Sequence, residues 1–215
     1  MKGLIISNGE ISDLNLLKSV AMDVDFIICA DGGTNHITKI NVKPDLVVGD
    51  LDSISNDTLE LIKRENIKIQ RYNTHKDATD TELATEYLIE KGFDEIIFMG
   101  VTGSRVDHTL ANILILDKLL KKGINGVIID KKNKVYITNN EMYVSREEGT
   151  FISVIPITSN GAIVTLKGFE YETDKVEFKF SSTLGVSNRV VEKSGYIKVE
   201  NGTCLVIISK DWKPE

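Results

Sequence analysis

Aspartate and glycine recur together in the first half of the chain, as Asp31-Gly32-Gly33, Gly49-Asp50-Leu51-Asp52-Ser53, Asp77-Ala78-Thr79-Asp80 and Gly103-Ser104-Arg105-Val106-Asp107. Most of these clusters stand where an apolar run ends, the point at which a strand of an α/β sheet hands over to its loop. Carboxylates gathered at one sheet edge repel one another unless a cation neutralises them. A divalent metal carrying a polyphosphate holds such a group together, so the pattern points to magnesium-dependent nucleotide chemistry.

Each cluster has a plain reading beside the chemical one. Asp31 can cap a helix while Gly32 and Gly33 shape a turn, or the glycines can let the backbone approach a phosphate or ribose. In an extended segment Asp50 and Asp52 point to the same side and can face one metal; alternatively Asp52 caps the following helix and Asp50 is solvated. Asp77 reads as an N-cap with an acid three residues on. Asp80 precedes Leu83 and Ala84 by three and four residues, which places it on the buried stripe, where a carboxylate needs a metal or a cationic partner. His75 and Lys76 stand beside it and can meet phosphate oxygens. In Gly100-Val101-Thr102-Gly103-Ser104-Arg105, Gly103 and Ser104 offer backbone N–H groups and Arg105 can fork onto a phosphate. Asp107 can cap the next helix as well as serve the site, and His108 reads as a helix-start residue.

Other chemistries lack their signatures. No Gly-x-x-x-x-Gly-Lys-Ser/Thr loop and no Gly-x-Ser-x-Gly elbow occurs. His36, His75 and His108 are too scattered for a zinc site. The net charge of -6 argues against a general nucleic-acid binder, while an acidic pocket suits a cationic substrate. No apolar run reaches the roughly 18–20 residues of a membrane span. The first residues lead straight into a strand rather than a leader. Cys29 and Cys204 lie in separate apolar runs and read as buried thiols of a reducing compartment, hence a cytoplasmic protein.

The elements that must position these residues change rhythm midway. Leu4-Ile6, Phe26-Ala30, Leu46-Val48, Ile67-Ile69, Ile96-Met99 and Val127-Ile129 are short, continuous apolar runs, as in a parallel sheet covered on both faces. Residues 56–65, 78–91 and 107–121 read as amphipathic helices. Leu83, Ala84, Tyr87 and Leu88 form the stripe of the second, and Leu110, Ala111, Ile113, Leu114 and Leu119 that of the third. Less sharply patterned helices fall near 12–20 and 33–40. After Asp130-Lys131-Lys132-Asn133-Lys134 no helix is evident. Val176, Phe178 and Phe180 alternate with Glu177 and Lys179 as in a half-buried strand, and Asn201-Gly202 reads as a hairpin turn. Asn139-Asn140 and Asn160-Gly161 are weaker turns. The expected fold is α/β: a three-layer parallel-sheet domain over 1–129, then a small all-β sandwich over 130–215.

The ordered strings ADGGTNHI, PDLVVGDLDSI, KDATDTELA and GVTGSRVDHTLANI, with LKGFEY and TLGVSNR farther on, resemble the thiamine pyrophosphokinase family over nearly the whole chain. The resemblance implies transfer of a pyrophosphoryl group from ATP to the hydroxyl of thiamine, giving thiamine diphosphate and AMP. It further implies a homodimer with thiamine near the subunit interface, and no nucleic-acid or membrane partner. On the matching positions Asp50, Asp52 and Asp80 are expected to hold Mg²⁺ with the ATP phosphates, and Arg105 and Asp107 to form the catalytic Arg-x-Asp. ATP binding is expected at Asp31, Gly32, Gly33, Lys76, Asp77, Thr102, Gly103, Ser104 and Arg105, and thiamine binding at Asp80, Ser187 and Asn188. An aromatic platform for the thiamine rings is missing apart from Trp212 near the end. Other Phe and Tyr residues, or an aliphatic wall of Val206 and Ile207, are its substitutes. A pyrophosphokinase for another alcohol such as a hydroxymethylpterin, and a non-catalytic nucleotide sensor, are the competing readings.

Overall fold

The computed structural model describes residues 1–71 and 78–210. The six apolar runs of the first half form strands β1 (Lys2–Ile6), β2 (Phe26–Ala30), β3 (Leu46–Gly49), β4 (Lys68–Arg71), β5 (Glu95–Met99) and β6 (Asn125–Ile129). They pair in parallel in the order β4-β3-β2-β1-β5-β6. Leu4, Ile5, Ile28, Val47, Ile96 and Phe98 are sealed from solvent, as strands covered on both faces require.

Helices α1 (Leu14–Ala21), α2 (Thr34–Thr38), α3 (Asn56–Arg64), α4 (Asp80–Glu90) and α5 (Val106–Lys121) connect the strands. From β1 to β4 each crossover steps one way along the sheet, and from β4 to β6 the steps run the other way. Right-handed crossovers therefore put α1 to α3 on one face and α4 and α5 on the other, giving three layers. Lys118 of α5 clasps Glu82 and Glu86 of α4 at 2.6 and 2.7 Å, which joins the two helices of that second face.

Two helical stripes differ from expectation. In α4 the buried residues are Thr81, Ala84, Thr85 and Leu88, because the buried hydroxyls satisfy one another: Ser7 Oγ lies 2.8 Å from Thr81 Oγ1, and Thr85 donates to the Thr81 carbonyl. In α5 Asn112, Leu116 and Leu119 are buried, whereas Leu110 and Leu114 are exposed. Asn112 takes the inner face because its Nδ2 donates to the Val101 carbonyl at 2.8 Å, stitching the helix to the loop after β5.

The chain divides into two compact units, Met1–Lys131 and Lys132–Glu215. The second is all β: β7 (Asn133–Thr138), β8 (Glu141–Ser145), β9 (Thr150–Pro156), β10 (Ala162–Lys167), β11 (Thr173–Phe178), β12 (Ser194–Asn201) and β13 (Cys204–Lys210). Antiparallel layers β7-β13-β9 and β11-β10-β12-β8 enclose one core that includes Val144, Ile152, Val164, Phe178, Ile197 and Val206. Asn201-Gly202 is consequently not a hairpin. β12 pairs with β8 and β10 while β13 pairs with β7 and β9, so the turn carries the chain from one layer to the other. Asn139-Asn140 and Asn160-Gly161 turn the same kind of corner. The alternation ends at Phe178, and Phe180 lies beyond the strand and exposed.

Candidate active site

The order β4-β3-β2-β1-β5-β6 reverses direction between β1 and β5, and the carboxyl ends of the strands open there onto a crevice. A cavity of about 570 Å³ occupies it. Asp31, Asp50, Asp80, Thr102, Gly103, Ser104 and Arg105, from four separate loops, all line this space. The sheet topology thus brings together residues that stand up to 74 positions apart in sequence, from Asp31 to Arg105.

The carboxylates converge by a different route from simple strand alternation. Carboxylate oxygens of Asp31, Asp50 and Asp52 lie within 4.8 Å of one another. β3 stops at Gly49, and Leu51 takes a φ of +73° with its side chain buried. The segment after β3 is therefore a turn rather than an extension, closed by the Asp52 N–H donating to Asp50 Oδ1 at 3.3 Å. Asp31 itself has a φ of +46°, and Gly49, with its φ of +140°, lies beneath it: a Cβ on Gly49 would come within 3.1 Å of the Asp31 Cβ. A left-handed aspartate is costly and marks a place where geometry is imposed from outside. Asp31 Oδ1 is buried without a hydrogen-bond partner. An unpaired buried carboxylate oxygen beside two further carboxylates is a donor set that fits a hard divalent cation such as Mg²⁺. Asp80, expected in this trio, instead lines the cavity from the first turn of α4.

Glycines determine how closely the loops approach. A Cβ on Gly33 would fall 2.0 Å from the Ile6 carbonyl oxygen, so only glycine lets α2 start against the end of β1. Gly32 and Gly33 are buried and are not among the residues that line the cavity. Arg105, which also lines the cavity, donates from Nε and Nη2 to the two carboxylate oxygens of Asp107, at 3.2 and 2.6 Å. The guanidinium holds the Asp107 carboxyl down at about 2, and the carboxylate raises Arg105 further. Asp107 lies in the first turn of α5 rather than at its N-cap, which is Arg105, and its carboxylate is paired with the Arg105 guanidinium.

The start of α4 is capped by Thr79, whose Oγ1 accepts from the Glu82 N–H at 3.2 Å. His75, Lys76 and Asp77 lie outside the described residues, as does Trp212. Ser187 and Asn188 belong to the second unit. Ser187 is exposed with a φ of +63°. Asn188 is buried and committed to its own fold: its Oδ1 accepts from the Tyr171 N–H and its Nδ2 donates to the Tyr171 carbonyl. Val206 sits in the sandwich core and so provides no ligand wall. Sequence reasoning missed Ser7-Asn8-Gly9, which lines the cavity from the end of β1. The signal was present, since an Asn-Gly pair closes the first apolar run.

A parallel sheet with carboxylates and an arginine at its switch point defines an α/β enzyme of phosphate chemistry. The family model for the thiamin pyrophosphokinase catalytic domain matches residues 17–128, and that for the thiamin pyrophosphokinase vitamin B1 binding domain matches residues 134–204. The chain is 32% identical to a thiamine pyrophosphokinase of Bacillus subtilis over 86% of this chain and 87% of that protein. The crystal structure of Bacillus subtilis thiamine pyrophosphokinase superposes with a TM-score of 0.89 at 29% identity, covering 99% of this chain and 100% of that one. That of thiamin pyrophosphokinase from Geobacillus thermodenitrificans gives a TM-score of 0.84 at 26% identity, covering 98% of each chain. The chain belongs to the thiamine pyrophosphokinase family and is an enzyme of that class. Among the described residues no helix is long and apolar enough to cross a membrane.

Proposed function

We propose that the crevice binds ATP and transfers its terminal pyrophosphoryl group to the hydroxyl of thiamine, releasing AMP. The observation that carries this reading is the meeting of the Asp31, Asp50 and Asp52 oxygens within 4.8 Å beside a cavity that Asp31, Asp50 and Arg105 all line. Acids and a guanidinium lining one cavity suit a metal-chelated polyphosphate held among them.

Asp31, Asp50 and Asp52 would hold Mg²⁺, which when bound supplies charge neutralisation to the phosphates. In the transfer, the thiamine oxygen attacks the β-phosphorus, the bond from that phosphorus to the AMP oxygen breaks, and the hydroxyl proton passes to a carboxylate or to water. Arg105 faces the charge that grows on the leaving phosphate, and the backbone N–H groups of Gly103 and Ser104 supply further donors. A carboxylate held at about 2 is a weak base, so Asp107 acts by aiming Arg105. Asp80, which also lines the cavity, would meet the positive charge of thiamine or a metal-bound water. Catalysis of this kind rests on alignment and electrostatics more than on covalent chemistry. We assign thiamine binding to the second unit, with exposed Ser187 as its candidate contact, and infer a cytoplasmic homodimer.

Incubation with Mg²⁺, ATP and thiamine is expected to give AMP and thiamine diphosphate in equal amounts, with hydroxymethylpterin inert. Asp50→Asn and Asp52→Asn should each lower turnover by about a hundredfold or more while the circular dichroism spectrum is kept. Release of ADP, or full turnover by either variant, would overturn the reading.

A further inference from the structure

The acidic loop after β2 and the Thr102–Arg105 loop after β5 are separate peptides, and transfer between them depends on their spacing. The loop after β1 runs between the two. On one side it is zipped to the β5 loop: the Ser7 N–H donates to the Met99 carbonyl at 2.9 Å, Gly9 to Gly100 at 2.6 Å and Glu10 to Thr102 at 3.2 Å. A Cβ on Gly9 would lie 2.3 Å from the Thr102 oxygen, so the two backbones touch. On the other side it packs against Gly32 and Gly33, through the Asn8 side chain and the Ile6 carbonyl, and one side chain adds a hydrogen bond. His36 Nε2 lies 2.9 Å from the Gly9 carbonyl oxygen. His36 stands in α2, which begins at Thr34, directly behind Asp31-Gly32-Gly33.

The chemistry of this contact is fixed. A carbonyl only accepts, so Nε2 carries the proton and Nδ1 keeps its lone pair. Nδ1 is buried with no partner, and a proton there would leave an unpaired donor in the interior. Burial also draws the His36 pKa below its ordinary value, in keeping with a neutral ring. The neutral ring thus donates to Gly9 through Nε2.

We propose that His36 is a positioning residue of the transfer, tying the Asp31 loop through α2 to Gly9 and thereby helping to fix how far Asp31 stands from the Thr102–Arg105 loop. The proposal rests on the ATP reading of the crevice. It explains why a half-buried histidine that lines neither the cavity nor the acidic trio keeps one ring nitrogen buried and unpartnered. Small displacements between reacting groups are expensive in rate, so the tie acts on turnover more than on affinity for thiamine.

The test is the series His36→Gln, His36→Asn and His36→Leu. A glutamine amide nitrogen reaches nearly as far as Nε2 and restores the donor; asparagine is a methylene too short, and leucine has no donor. His36→Leu and His36→Asn are expected to lower kcat roughly tenfold to a hundredfold with the KM for thiamine little changed, and His36→Gln to stay close to wild type. Amide hydrogen exchange at Gly9 and Glu10 should quicken in the Leu and Asn variants and not in Gln, with the amides of β2 unaltered. Should the Leu variant fail to fold, the Gln and Asn pair carries the comparison. Equal impairment of Gln and Asn, or wild-type kinetics and exchange in Leu or Asn, would overturn the proposal. An inactive wild-type protein would count against the ATP reading alone, because exchange at Gly9 reads the tie without substrate.

Discussion

Arg105 and Asp107 form their forked pair largely exposed to solvent, so it adds little to stability, and in the proposed function its part is to aim the guanidinium. Its pH dependence has a definite sign. A carboxyl depressed in the folded state keeps its partner wherever the pH lies above the ordinary carboxylate range, and releases it only as the pH falls through about 2. A fall of activity between about pH 4 and 6 therefore belongs to other groups. Carboxyl carbon shifts should show Asp107 titrating near 2 in the wild type and returning to about 3.9 in Arg105→Ala. An unchanged midpoint in that variant would show that the guanidinium is not the cause. Asn188 illustrates the opposite case, a polar residue at a ligand-like position whose side chain is occupied by the Tyr171 backbone.

At the scale of elements, the site depends on how helices begin. Thr79 caps α4, so Thr79→Ala should cost about 1 kcal/mol in urea unfolding, the usual loss for a capping hydroxyl. Gly33→Ala should be harsher. Its new methyl would face the Ile6 carbonyl at 2.0 Å, and we expect a loss of about 1–3 kcal/mol together with weakened nucleotide binding, because the acidic loop must move. The Lys118 clasp between α4 and α5 is more than a third exposed, and Lys118→Met should change stability by less than about 1 kcal/mol. A larger change would mean that the clasp, rather than the burial of Ala84, Leu88, Leu116 and Leu119, holds these helices.

At the scale of the molecule, each unit hides one thiol. Cys29 is buried in β2 and Cys204 in the sandwich core, and desolvation raises both, Cys204 to about 12. A thiol so disfavoured as thiolate is unreactive until its surroundings open. A disulfide reagent should therefore leave the native protein unlabelled and report each unit as it unfolds, Cys29 for the first and Cys204 for the second, with mass spectrometry telling them apart. Saturating Mg²⁺ and ATP should slow labelling of Cys29 by stabilising the unit that binds them, and EDTA should remove that protection. Rapid native-state labelling of either thiol would contradict the burial.

The sequence by itself determined the six parallel strands, the five helices between them and the later all-β unit, because burial on both faces writes unbroken apolar runs and turns are written by their own residues. It also named Asp31, Asp50, Asp80 and Arg105, since short acidic and glycine-rich strings survive reading one at a time. What it left open is which of these groups meet. Asp31 joins Asp50 and Asp52 where Asp80 was expected, Leu51 turns the chain that alternation would have extended, and Asn201-Gly202 changes layer instead of closing a hairpin. Those outcomes depend on strand order and on distances between loops far apart in the chain. Only tertiary structure fixes them, because no local preference records which loops the sheet will set side by side.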